Sequence, residues 1–190
     1  MSHAELPASV DPYKLTEQDA KVAGKVPVAR LTRLEPLLAS VGEETVDVSL
    51  HFTRDAENRR ILAGHLDAEV QVICQRCLET MGQKVESEFQ LAVVASEEMA
   101  KQLPSWLEPL EMDGESVNLW SVVEDEMLLA MPPFPAHDLS QCPAAATLEA
   151  YAPPEEEEPA EESERENPFK VLQKLKAKAG KDESDTSDKE

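Results

Sequence analysis

Cys74 and Cys77 are separated by two residues and are two of only three cysteines in 190 residues. That spacing lets both thiolates reach one metal ion, and it is also the spacing of a redox dithiol. The third cysteine, Cys142, follows His137 by five residues in a proline-rich stretch. Together Cys74, Cys77, His137 and Cys142 would make a tetrahedral Cys₃His site for Zn²⁺. Arg76, lying between the paired thiols, would lower their pKa and favour a metal. The plainer alternative is three reduced thiols, with the pair on a turn and His137 on the surface. A thioredoxin-like site fits less well, because the pair follows a strand of a meander and does not open the helix of a βαβ unit.

Other reactive groups are dispersed. Glu124, Asp125 and Glu126 are consecutive. Neighbours on a helix diverge by about 100°, so these three do not converge on a metal or form an acid/base pair. They read as a solvated acidic face that could dock a basic partner. His51 and His65 fall on the polar faces of two strands, where they are exposed or sit across from one another. The chain holds no GxSxG, HExxH, P-loop or dinucleotide fingerprint, so the expectation is a protein that is not an enzyme and has no small-molecule substrate.

The pair is positioned by strands. Val46, Val48, Leu50 and Phe52 alternate with polar residues, the period of a half-buried strand. Asp55 to Asn58 is a turn. A longer alternation from Leu62 to Cys74 is a second strand, with Gly64 marking a bend or bulge. After a turn, Val85, Phe89, Leu91 and Val93 make a third. Short connections favour antiparallel neighbours, so the expectation is an α+β fold: an antiparallel three-stranded β-meander packed against one or more helices. The main helix runs from Leu119 to about Met131, capped by Asn118 and ended by Pro132, Pro133 and Pro135. Short helical turns are expected after Thr16 and over Arg30 to Leu38, and a loop with some helix over Ser96 to Pro109.

The expected organisation is a mixed N-terminal segment (1–40), an α+β core with the CxxC turn and the proline-rich loop (41–150), a disordered acidic linker (151–166), a basic amphipathic helix (167–179) and a disordered tail (180–190). Asn167 caps that helix, Pro168 takes its first position, and Phe169 and Leu172 are anchors for a partner or for the chain's own core.

Hydrophobic content of 41% with 4% aromatics allows one modest core. No apolar run of about 18 residues suggests a membrane span. Residues 1–12 lack a cationic start and an apolar stretch, against a secretory signal. An odd cysteine count with one close pair fits a reducing cytoplasm better than a disulfide scaffold.

The net charge is −21, and residues 41–152 hold six Lys/Arg against twenty-one Asp/Glu. Nucleic-acid binders normally carry a basic stripe that neutralises phosphates. Only residues 167–181, with five lysines and no acid, look like one. Charge therefore argues against broad RNA contact by the core.

Four stretches taken in order resemble the YceD family, also called large ribosomal RNA subunit accumulation proteins. They are CQRC over 74–77, VVEDEMLLAMP over 122–132, PAHDLSQC over 135–142 and NPFKVLQKL over 167–175. The resemblance implies a cytoplasmic, non-enzymatic role in synthesis, processing or stability of large-subunit (23S) ribosomal RNA, and carries over no catalytic residue. Joined to the charge, it leads to an acidic module that engages a basic ribosomal or rRNA-processing protein through complementary surfaces. Arg76, Glu124, Asp125, Glu126, Asn167, Pro168, Phe169 and Leu172 are the candidate contacts. On that reading rRNA is met indirectly or weakly. The alternative is direct rRNA binding by a local basic face gathered from Arg59, Arg60, Arg76 and the C-terminal lysines.

Overall fold

The computed structural model describes residues 4–112 and 114–151. One compact unit spans Met1–Thr147; the second, Leu148–Glu190, is described only as far as Tyr151. The elements are β1 (Ser9–Val10), α1 (Pro12–Glu17), β2 (Lys21–Pro27), β3 (Thr45–Arg54), β4 (Arg60–Ile73), β5 (Thr80–Val94), α2 (Glu97–Ala100), β6 (Glu108–Glu111), β7 (Val117–Asn118), α3 (Leu119–Ala130) and α4 (Ala145–Tyr151). Short 3₁₀ turns cover Val28–Arg30, Glu35–Leu37 and Leu139–Gln141. No described helix is long and apolar enough to cross a membrane. The readings of 152–166 as a linker, 167–179 as a helix and 180–190 as a tail lie outside the described residues, while Tyr151 ends α4.

The fold is α+β. A five-stranded sheet runs in the order β2-β3-β4-β5-β6, antiparallel except for the β5–β6 pair. β1 and β7 form a separate two-stranded ladder. The meander β3-β4-β5 stands where alternation places it, with Val46, Val48, Leu50 and Phe52 buried on one face of β3. α3 lies on that face, burying Leu119, Val122, Val123 and Met127. Asn118 caps it as its residue type predicts, accepting from Trp120 N at 3.0 Å and Ser121 N at 3.2 Å.

Two strands extend the expected three. β2 carries only Val22 and Val26 as branched apolar residues, interrupted by Gly24 and ended by Pro27, so its alternation is weak. It enters the sheet by pairing with β3 from Lys21 to Pro27, and on its outer side Leu6 N donates to Lys25 O and Lys25 N to Ala4 O. A side chain at Gly24 would come within 2.8 Å of both Ala4 O and Leu6 N, so only glycine lets the N-terminal segment cross there. β6, with Pro109 inside four residues, has no period to read and pairs parallel with the end of β5. The helix expected from Thr16 instead begins at Pro12, because Asp11 caps it by accepting from Tyr13 N and Lys14 N. Arg30 to Leu38 holds one 3₁₀ turn, Glu35–Leu37, after another that ends at Arg30, rather than an α-helix.

Gly64 is neither a bulge nor a bend. The β4–β5 register runs unbroken through it, and Phe89 stands directly opposite. The Phe89 ring lies over the glycine, so that a Cβ on residue 64 would meet ring atom Cζ at 2.1 Å. Gly64→Ala should therefore destabilise the protein by about 1–3 kcal/mol, measured by urea unfolding. Combined with Phe89→Leu, the loss should be smaller than the sum of the two single effects, since the smaller side chain vacates the same space.

Candidate metal centre

β4 ends in a tight knuckle. Cys74 N donates to Glu79 O and Leu78 N to Cys74 O, both at 2.9 Å, and Leu78 takes a left-handed φ of 62° to close the turn. A second contact brings the proline-rich loop to it: Gln75 N donates to Pro135 O at 2.8 Å. The prolines end α3 and send the chain back across the knuckle, carrying His137. Cys142 caps the following 3₁₀ turn, and its carbonyl accepts from Ala145 N at the start of α4.

The four residues singled out from sequence therefore converge. One ligand atom from each of Cys74, Cys77, His137 and Cys142 lies within 4.8 Å of every other. Cys77 Sγ and His137 Nδ1 are 3.4 Å apart. In a tetrahedral site with metal–sulfur bonds of about 2.3 Å, ligand atoms sit about 3.8 Å from one another. The four are thus spaced to hold a metal ion with little movement. Cys74 and Cys142 are buried, and Cys77 is half-buried.

Electrostatics separates the two thiols of the pair. Burial pushes Cys74 up, but N–H groups of Cys77, His137 and Arg76 point at its sulfur and, with the Cys77 thiol, bring it down to about 5. Burial raises Cys77; the Glu79 N–H opposes this, and the sulfurs of Cys74 and Cys142 push it higher. Arg76 contributes through its backbone N–H, after those of Cys77 and His137, rather than through the guanidinium expected to act, and it acts on Cys74. The Arg76 Nε is buried with no hydrogen-bond partner among the described residues.

The acidic turn on α3 is less solvated than its sequence implies. Glu124 and Glu126 are buried; Asp125 alone is exposed. Arg33, which no local pattern singles out, holds the turn. Its N and Nε donate to the two Glu124 carboxylate oxygens at 2.7 Å, and its Nη1 donates to Asp125 at 2.6 Å. Glu126 has a weaker partner, Ser87 Oγ at 3.4 Å. Burial raises its carboxyl, against the Ser87 bond, and Glu108 and Asp125 raise it further. Asn167, Pro168, Phe169 and Leu172 lie outside the described residues. His51 stands opposite Ala63 and His65 opposite Ser49, so the histidines are diagonal neighbours on the polar face. His51 contacts Asp19 at 2.9 Å.

Of the residues proposed for a basic face, Arg59 and Arg60 lie at one end of β4 and Arg76 beyond the other, and the C-terminal lysines lie outside the described residues. Arg60 opens β4 and Arg76 follows its end, so the two are separated by about 40 Å of strand. Arg59 is paired with Asp55 and Glu57 and lies over Trp106. Arg60 lies over Tyr13, with Glu17 at 3.9 Å. Of the eleven described lysines and arginines, seven make an ion pair, which leaves no broad positive groove among the described residues.

Comparison with known proteins follows the same line. A family model described as large ribosomal RNA subunit accumulation protein YceD matches residues 62–176. A Haemophilus influenzae protein named large ribosomal RNA subunit accumulation protein YceD is 33% identical over 180 residues, 94% of this chain and 100% of its own length. No solved structure matches.

The Glu126 carboxyl holds its proton to higher pH in the folded state than in the unfolded chain. Its ionisation therefore penalises folding as pH rises through that raised value, and the penalty vanishes below the unfolded value of about 4.3. Glu126→Gln should raise the urea midpoint at pH 7, with the gain gone near about pH 4.

Proposed function

The chain belongs to the YceD family, and on that premise we propose that it is a cytoplasmic, non-enzymatic factor in the synthesis, processing or stability of large-subunit (23S) ribosomal RNA. It acts by binding a basic ribosomal or rRNA-processing protein. The observation that carries this reading is the state of its cations: most described lysines and arginines are already neutralised by neighbouring carboxylates on a chain of net charge −21. Such a surface repels polyphosphate and attracts cationic proteins, steering their encounter. Contact with rRNA then follows from the partner.

The Cys₃His cluster is read as a structural Zn²⁺ site. Three sulfurs and one imidazole are the donor set of closed tetrahedral zinc centres. Its role is to fasten the β4–β5 turn to the loop that follows α3. Those segments share few backbone bonds, so a metal would supply much of their attachment.

Two measurements test these readings. Purified chain should bind cationic large-subunit ribosomal proteins at low salt with a Kd below tens of micromolar, weakening steeply as salt rises; tight binding of naked rRNA in its place would refute the proposal. The chain should also carry one Zn²⁺, lost in Cys77→Ser and in His137→Ala. Because Cys77 lies above its ordinary value it keeps its proton at neutral pH, so zinc uptake should release that proton. Affinity should then fall by about tenfold per pH unit for that one proton on acidification.

A further inference from the structure

β5 has an edge that no other described strand covers. Its pairing with β4 runs from Thr80 to Ala92, but on the other side β6 pairs only with Leu91 to Val94. The direction of the backbone groups follows from the ladder. Cys74 N donates to Glu79 O, continuing the β4–β5 register one pair beyond Ile73 and Thr80. Bonded and non-bonded pairs alternate in an antiparallel ladder, so odd-numbered β5 residues bond β4 and even-numbered ones face away. Met112 N, donating to Val94 O from the far side, agrees. Thr80, Gly82, Lys84, Glu86, Glu88 and Gln90 therefore direct both N–H and C=O outward. All six are exposed; the Gln90 C=O is taken by Glu108 N where the β5–β6 ladder begins and the Lys84 C=O by the Gln83 side-chain amide at 2.7 Å, while the other groups have no backbone partner among the described residues.

Elsewhere the edges of the sheet are contacted or interrupted at single points. The segment Ala4–Leu6 covers β2, Pro109 interrupts β6, and Ala39 N reaches Gln71 O where β4 outruns β3. Between Thr80 and Gln90 there is no proline and no bulge, the usual devices that blunt an edge.

Charge selects the occupant. Glu86 and Glu88 are exposed on the polar face, and Glu126 is buried beside Ser87 on the other, with Glu108 near it. The one cation, Lys84, already lies between Asp67 and Glu86 at 3.4 and 3.3 Å. A second copy of the chain would set these acids against their equals, and RNA would meet the same repulsion. An added strand with lysine or arginine on both faces would answer them. A residue opposite Ser87 would stand about 5 Å away, within reach of Glu126, and its neighbours would meet Glu86 and Glu88. We propose that the outer edge of β5 from Thr80 to Gln90 receives an extended, lysine- or arginine-rich protein segment as an added strand. The proposal rests on the reading of this protein as a binder of basic partners and says where and in what form they dock.

The test uses the full chain and two end-blocked peptides of about eleven residues and equal charge. One alternates Lys/Arg with Thr/Val, and the other carries interspersed prolines that forbid strand pairing. The strand-forming peptide should bind at least tenfold more tightly at low salt. Hydrogen exchange should show protection of the even-numbered amides from Gly82 to Gln90. Glu86→Pro removes an outward N–H without touching the β4 ladder, and Glu86→Lys with Glu88→Lys reverses the charge; each should weaken binding at least tenfold. If Glu86→Pro unfolds the chain, the charge variant decides. Equal binding of both peptides, protection confined to another surface, or the same amides already protected in the free chain would overturn the edge site and leave the basic-partner reading standing. No peptide binding would also overturn the edge alone if cationic ribosomal proteins still bind, and would sink both readings if they do not.

Discussion

Thirteen consecutive cross-strand pairs join β4 to β5, and every functional feature hangs from that hairpin. The ladder is long enough that its two ends serve different surroundings. At Arg60 it enters a turn where arginines are stacked on aromatic rings and paired with acids. At Ile73 it runs into the cysteine knuckle. Its buried face carries α3, which brings Glu126 against Ser87. A one-residue slip in register would move all of these at once, because alternate residues of a strand face opposite sides. Gly64 and Phe89 help fix the register, since only a residue without a side chain can sit beneath that ring.

The knuckle links the hairpin to chain more than fifty residues away. α3 ends in prolines, and its C-terminal turn hands over directly to the loop holding His137. Pro135 O accepts from Gln75 N, so the loop is anchored one residue from Cys74 before any sulfur is considered. The cluster is thus preorganised by the backbone. The same backbone tilts the two thiols apart in acidity: donors surround Cys74, while Cys77 faces the other two sulfurs. A divalent cation would offset the burial, and the neighbouring sulfurs, that keep Cys77 protonated.

Charge is organised by the same framework. The acidic turn on α3 divides into three environments within three residues: Glu124 gripped by Arg33, Asp125 shared with it at the surface, and Glu126 buried with a weak partner. Successive side chains on a helix diverge by about 100°, so adjacent carboxylates meet different neighbours. Among the described residues, the cations are mostly spent on internal pairs, and a stretch of strand edge beside exposed acids has no strand against it.

Much of this was legible in the residues. Alternation located β3, β4 and β5, the Asn118 cap and the prolines bounded α3, and the CxxC spacing, taken with His137 and Cys142, pointed to the four residues that cluster. These signals are local: each depends on the geometry of a few consecutive residues, or on a donor type rare enough in the chain to stand out. β2 and β6 were not legible, because strands broken by Gly24 or Pro109 are held by neighbours rather than by pattern. Arg33 was invisible for the same reason: its partners lie ninety residues on, in α3. The tertiary structure alone settled that the three cysteines and His137 converge, that Arg60 and Arg76 stand at opposite ends of one strand, and that no described strand lies along most of one side of β5. Sequence fixes what a residue can do, whereas packing of distant segments decides which groups meet and which are left without a partner.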